Sequence, residues 1–212
     1  MPRLVFISDT HGTRPELPEG DILCHSGDFT VAGGALQATE FFRWFSSQTH
    51  PHKVFIAGNH DWCMQDYPTS MATLLERYPQ ITYLRDSETT VGGLRIYGSP
   101  WQPTFHDWAF NLPRNGPEIT ERWRAIPEGV DVLLTHGPAY GTLDRVQQAG
   151  GIHVGCSVLR QELKRIRPKI HAFGHIHEGY GIVERDGLIN VNAAICDLGG
   201  FWVAHDPITV DI

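Results

Sequence analysis

The stretch Leu4-Val5-Phe6-Ile7-Ser8-Asp9-Thr10-His11-Gly12 decides how this chain must fold. Its first half is a short, unbroken apolar run rich in β-branched and aromatic residues. Such a run, ended by a polar turn with glycine, reads as a strand covered on both faces. The same pattern recurs along the chain. Ile22 to His25 runs into Ser26-Gly27-Asp28, and Val54 to Ala57 into Gly58-Asn59-His60-Asp61. Val132 to Thr135 runs into His136-Gly137-Pro138, and Ile170 to Phe173 into Gly174-His175-Ile176-His177.

Segments with helical spacing lie between these runs. Ala35 to Gln48 is expected to place Leu36, Phe41, Phe42 and Phe45 largely on one side. Thr69 to Tyr78, Glu118 to Ala125 and Ser157 to Arg167 are the later candidates, the last stopped by Pro168. Trp44 and Phe45 read as core. The tail changes character, with Gly179 to Glu184, Leu188 to Asn192 and Ile208 to Asp211 reading as strands joined by tight turns. Alternating strand and helix followed by strands predicts an α/β fold of two packed sheets flanked by helices. No repeat or linker interrupts the 212 residues, so a single domain over 1–212 is expected.

Composition removes several function classes. Hydrophobic residues make up 41% and charged residues 19%, values of a globular protein and not of a disordered one. A formal charge of −7 argues against an extended nucleic-acid track, though not against a single nucleotide. No run is long enough to span a bilayer, so no membrane partner and a cytoplasmic location are expected. Cys24, Cys63, Cys156 and Cys196 are scattered without Cys-x-x-Cys spacing and read as reduced, buried thiols.

The chemistry lies in the turns. Ligands of open α/β sheets collect beyond the carboxyl ends of the strands, where all five glycine-marked turns fall. Each carries Asp, Asn or His, and hard oxygen donors mixed with imidazoles suit Mn, Fe or Zn. Taken singly the turns mean little: Asp9-x-His11 is compatible with a plain strand-end turn, and Gly27-Asp28 is commonplace. Together, each at the end of its own strand, they predict a dinuclear metal site.

The set Asp9-x-His11, Gly27-Asp28, Gly58-Asn59-His60-Asp61, His136 and Gly174-His175-Ile176-His177 resembles the signature of the calcineurin-like metallophosphoesterases. The likeness is closest to the fetal-brain-type branch and its bacterial relatives. It is carried by His25-Ser26-Gly27-Asp28-Phe29-Thr30, Ile96-Tyr97-Gly98-Ser99-Pro100-Trp101, Phe110-Asn111-Leu112-Pro113-Arg114 and Thr135-His136-Gly137-Pro138. The resemblance implies a four-layer α/β/β/α sandwich of two packed mixed sheets. It also implies that Asp9, His11, Asp28 and His177 hold one metal, with Asp28 bridging to a second held by Asn59, His136 and His175. Some animal members have glycine where this chain has His175, which weakens their second site. Here a complete pair is expected, with manganese the ion most readily used in vitro.

Two such ions, about 3.5–4 Å apart, clamp a phosphate and activate water for in-line attack. By the same resemblance His60 points at the phosphate as general acid or transition-state stabiliser, whereas Asp61 is expected to fix the loop. The implied activity is hydrolysis of small phosphodiesters such as cyclic nucleotides. A phosphomonoesterase and a nucleotide-binding scaffold with vestigial activity are the alternatives. Phe29-Thr30-Val31-Ala32 after Asp28 lacks the acidic-arginine-glycine continuation of the protein phosphatases. Substrate contacts are sought in Trp62, Trp101 and Arg114. The last two belong to a segment from Ser99 to Arg114 that also holds Phe105, His106 and Trp108, where aromatics either stack a base or plug the sheet edge.

Overall fold

The computed structural model describes residues 1–147 and 150–212. Strands β1 (Arg3–Ile7) and β2 (Ile22–His25) lead to helix α1 (Ala35–Ser46) and β3 (His52–Phe55). Helices α2 (Trp62–Asp66) and α3 (Pro68–Leu75) precede β4 (Thr82–Tyr83). A hairpin of β5 (Ser87–Val91) and β6 (Leu94–Ser99) is followed by β7 (Gln102–Pro103), β8 (Asn111–Leu112), α4 (Pro117–Arg124) and β9 (Val132–Thr135). Then come β10 (Arg145–Val146), β11 (Ile152–His153), α5 (Ser157–Ile166) and β12 (Ile170–Phe173). Strands β13 (Gly181–Arg185), β14 (Leu188–Asn192) and β15 (Ile208–Asp211) close the order.

Two large mixed sheets result. One runs β15-β1-β2-β3-β4, parallel except where β15 pairs with β1. The other runs β13-β14-β12-β9-β6-β5, parallel in its centre and antiparallel at both edges.

Side-chain alternation explains why the strands are apolar throughout. Leu4, Phe6, Ile22, Cys24 and Val54 join Ile96, Val132, Leu134, Ile170 and Ala172 in one buried cluster, the layer between the sheets. The intervening Val5, Ile7, Leu23 and Phe55 pack with Phe41, Phe42 and Phe45 of α1. Tyr97 and Leu133 belong with Ile119 and Trp123 of α4 and Leu159 and Leu163 of α5. The central strands are therefore covered on both faces, which a period-2 amphipathic pattern would not permit, while β5, β13 and β15 at the edges keep exposed positions. Phe29, Phe41, Phe42, Phe45 and Phe55 form a connected ring cluster, with Phe29 and Phe41 stacked at 4.3 Å. Burying each such ring contributes roughly 1.5–3 kcal/mol.

The α/β class and the two mixed sheets agree with the sequence reading, and several details differ. Leu36 does not share the buried face of α1; it is 73% exposed, and Ala38 takes its place. The first and last helices end earlier than expected, at Ser46 and Ile166, the latter because Arg167 turns left-handed at φ 50°. The hairpin Ser87–Ser99 is unanticipated, although Val91-Gly92-Gly93-Leu94 carries its mark. Gly92 and Gly93 have φ of 56° and 79°, the left-handed pair that a two-residue hairpin turn needs. The four cysteines are buried and unbonded. Among the described residues no helix is long and apolar enough to cross a membrane.

Candidate metal centre

The loops that leave β1, β2 and β3 meet the loops that leave β9 and β12 at the seam between the sheets. Ser8 bridges to Ala194 there, and Gly174 stands against Asp9 and Ser8. A Cβ on Gly174 would overlap Asp9 Oδ2, and one on Gly58 would overlap Asp28 Oδ1. Both approaches require hydrogen in place of a side chain.

Three donor groups gather at the seam: Asp9, His11 and His177; His11, Asp28 and His60; and Asp28, His136 and His175. Within each, the donor atoms lie within 4.8 Å of one another. His177 Nε2 is 3.2 Å from Asp9 Oδ1, and His136 Nε2 is 3.3 Å from Asp28 Oδ2 and 2.8 Å from Asn59 Oδ1. All seven residues expected to be ligands are thus brought together, and Asp28 and His11 each belong to two groups. His60 also reaches the cluster, its Nε2 4.0 Å from Asp28 Oδ2.

The backbone holds several of these residues against its own preference. Asp9, His11, Asp28 and His175 have φ of 55°, 43°, 58° and 65°. A non-glycine residue there costs on the order of 1–3 kcal/mol, and such outliers concentrate at functional sites. Asp61 supplies part of the compensation. Its Oδ2 accepts the N–H groups of Asp28 and Gly58, at 2.9 and 2.8 Å, and its Oδ1 accepts that of Thr30 at 2.9 Å. Burial, and then the neighbouring Asp28 charge, push the Asp61 carboxyl up to about 7.

The imidazoles are oriented by the same device four times. Nδ1 of His11, His60, His136 and His177 lies 3.3, 2.7, 2.9 and 2.6 Å from the carbonyl oxygens of Thr30, Val31, Ser26 and Asp197. A carbonyl oxygen cannot donate, so Nδ1 carries the hydrogen and Nε2 faces inward, where it can give a lone pair to a metal once its own proton is displaced. This is how metal-binding histidines are commonly oriented. The donor set therefore fits a pair of metal ions. His25 differs: its Nδ1 accepts from Gly27 N–H at 3.1 Å, which leaves Nε2–H to donate to the Thr10 hydroxyl at 3.0 Å.

Electrostatics agree with this picture. Burial opposes ionisation of Asp9, yet the hydrogen bond and charge of His177 hold its carboxyl far below the usual range. Asp28 is likewise held low against burial, chiefly by His136. Burial works to lower His136, but the charge and hydrogen bond of Asp28 carry it up to about 9. His177 rises to about 9 against burial through Asp9. Burial, with the neighbouring His136 charge, drops His175 to about 3. The two carboxylates thus attract positive charge that the histidines supply here and that bound cations would replace.

The residues sought as substrate contacts lie differently. Trp101 Nε1 donates to Asp86 Oδ2 at 2.7 Å, and its ring sits below Arg85 and Arg122, at 5.5 and 4.8 Å. Arg114 donates to the carbonyl oxygens of Gly155 and Val154 at 2.9 and 2.8 Å. Both are engaged in holding the fold. Trp62 is half-buried against the outer core. The Ser99–Arg114 segment reaches the cluster instead through Trp108, 4.2 Å from the His60 ring, and exposed Phe105, 5.9 Å from His175. Asp197, whose carbonyl orients His177, follows no motif and was not anticipated.

Residues 2–179 match the family described as calcineurin-like phosphoesterase. The human "Metallophosphoesterase domain-containing protein 1" is 42% identical over 99% of this chain and 71% of its own length. A Caenorhabditis elegans relative, "UPF0046 protein C25E10.12", is 36% identical over 99% of this chain and 80% of its own. Among solved structures, TT1561 of Thermus thermophilus shares the fold, with a TM-score of 0.63 at 15% identity over 91% of this chain and 89% of that one. The motifs, the two sheets and these likenesses agree: the chain belongs to the calcineurin-like phosphoesterases.

Proposed function

We propose that this phosphoesterase hydrolyses small phosphodiesters, cyclic nucleotides among them, with two metal ions held by Asp9, His11, Asp28, Asn59, His136, His175 and His177. The observation that carries the reading is the carboxylate of Asp28, shared by the donor group it forms with His11 and His60 and the one it forms with His136 and His175. Two ions bound there supply Lewis-acid charge for the phosphoryl oxygens and lower the pKa of a water nucleophile.

The remaining roles fall to the protein. His60, with Nδ1–H engaged by Val31, offers Nε2 to the leaving oxygen and protonates it when charged. Trp108 fixes the plane of that ring, and Trp108 with Phe105 forms an apolar wall on which a nucleobase can stack. A diester presents two esterified oxygens and only one negative charge, which suits a mouth with aromatic rings at its edge.

The test is hydrolysis of bis-p-nitrophenyl phosphate and p-nitrophenyl phosphate by metal-stripped protein, before and after manganese. Restored activity that favours the diester is expected. Preference for the monoester would make the protein a phosphomonoesterase. Silence with manganese, iron and zinc alike would favour the scaffold.

A further inference from the structure

A second cleft, whose lining includes none of the metal-centre residues, carries an excess of positive charge. Between α5, the β13–β14 turn and the segment after β9 is a cleft of about 620 Å³, bordered by Arg160, Lys164, Arg167 and Arg185. That volume is in the range of small-molecule sites. Among the described residues Asp186 is the one acidic side chain in its lining, so the rim carries a local excess of three positive charges on a chain whose formal charge is −7.

These cations are not neutralised from within. Among the described residues none of the four is ion-paired; the pairs nearby in sequence are Arg165 with Glu162 and Lys169 with Asp131. Arg160 and Lys164 stand one helical turn apart on α5, where like charges repel. Arg185 Nη1 donates to the Gly141 carbonyl oxygen at 3.0 Å, and Arg160 Nη1 lies 3.2 Å from where a Cβ of Gly141 would stand. Two guanidinium groups therefore converge on Gly141, whose N–H is held by the buried Asp144 carboxylate at 2.9 Å. The floor is polar as well. Asn190 is 3% exposed, donates from Nδ2 to the Leu188 carbonyl oxygen at 3.2 Å, and lies in register beside His171, whose buried Nδ1 has no partner among the described residues.

We propose that this cleft binds the phosphate groups of a small phosphorylated molecule. Arginine forks match phosphoryl oxygens bidentately, Lys164 adds a mobile point charge, and Asn190 offers an amide at the floor. A ligand there would rest against Thr142 and Ala139, in the segment that follows His136.

Metal-stripped protein separates this site from the phosphoesterase reaction, since no turnover is needed. Isothermal titration with pyrophosphate is expected to show saturable binding about tenfold tighter than sulfate, because several fixed cations reward the higher charge. The double variant R160S/K164S should weaken pyrophosphate about tenfold, whereas R43S/R124S, which removes the same charge from exposed positions elsewhere, should stay within about twofold. All these positions are exposed, so unchanged thermal midpoints are expected to verify folding. Equal weakening by both double variants, equal affinity for sulfate, or no binding at all would overturn the proposal.

Discussion

His60 is held on two sides at once: its Nδ1 lies 2.7 Å from the Val31 carbonyl oxygen, and its ring lies 4.2 Å from that of Trp108. The two contacts leave Nε2 free and fix where it points. For the proposed role, His60→Ala should lower turnover of a diester with a poor leaving group by roughly 10²–10⁴-fold. A p-nitrophenolate leaving group needs no proton, so its hydrolysis should fall much less. Equal losses on both substrates would remove His60 as the acid.

Trp108 acts through His60 in this scheme. Trp108→Ala should reduce kcat about three- to tenfold on the poor leaving group, an effect smaller than loss of the acid itself. Trp108→Phe should restore most of it while Trp108→Leu should not, since a flat ring is what keeps the imidazole in plane. Three variants with identical kcat would show that the stack has no such role.

Gly174 tests the metal centre without touching a donor. Gly174→Ala places a Cβ against Asp9 Oδ2 and should lower bound metal, read by elemental analysis of the purified protein. In the parent, manganese at 100 times its Kd stabilises by about 2.7 kcal/mol through mass action. The variant should lose most of that increment in thermal midpoint. An undiminished increment would mean that Asp9 binds no ion.

His171, whose Nε2 lies 2.8 Å from the Thr135 hydroxyl, gives a pH dependence from a group that is not itself a candidate metal ligand. Burial drops its imidazole to about 3 from the ordinary value of 6.5, so the folded protein keeps it neutral. Between those values the unfolded chain takes up a proton that the folded chain does not. This stability is therefore present above pH 6.5 and is lost as pH falls toward 3, by a few kcal/mol at most, roughly. His171→Leu should flatten the acid limb of a stability–pH curve measured by urea unfolding. A limb of unchanged slope would assign the acid lability to other groups.

The fold was legible because its strands announce themselves twice, by continuous apolar runs and by the glycine turns that end them. Gathering of Asp9, Asp28, His136 and His177 followed from that placement alone. What the aromatics do was not legible. Trp101 and Trp108 stand in one proline-bounded segment, yet one is caged by Arg85, Asp86 and Arg122 and the other faces His60. The cage comes from distant elements, and no local pattern encodes it. Leu36 fails for a different reason: at about 100° per residue it stands nearly opposite Ala38, Phe41, Phe42 and Phe45, so the helical period itself places it in solvent. Asp197 contributes only a backbone carbonyl, which any residue could supply, so side-chain chemistry left no trace of it.

Asp9, His11, Asp28 and Asn59 follow strands of one sheet, and His136, His175 and His177 follow strands of the other. The centre is thus a clasp as well as a reaction vessel. Sliding one sheet past the other by a single residue, about 3.3 Å, would carry half of the donors out of reach of the rest. Drift in the apolar layer between the sheets is therefore policed by chemistry at its rim, and substitutions there must preserve alignment even where they preserve volume.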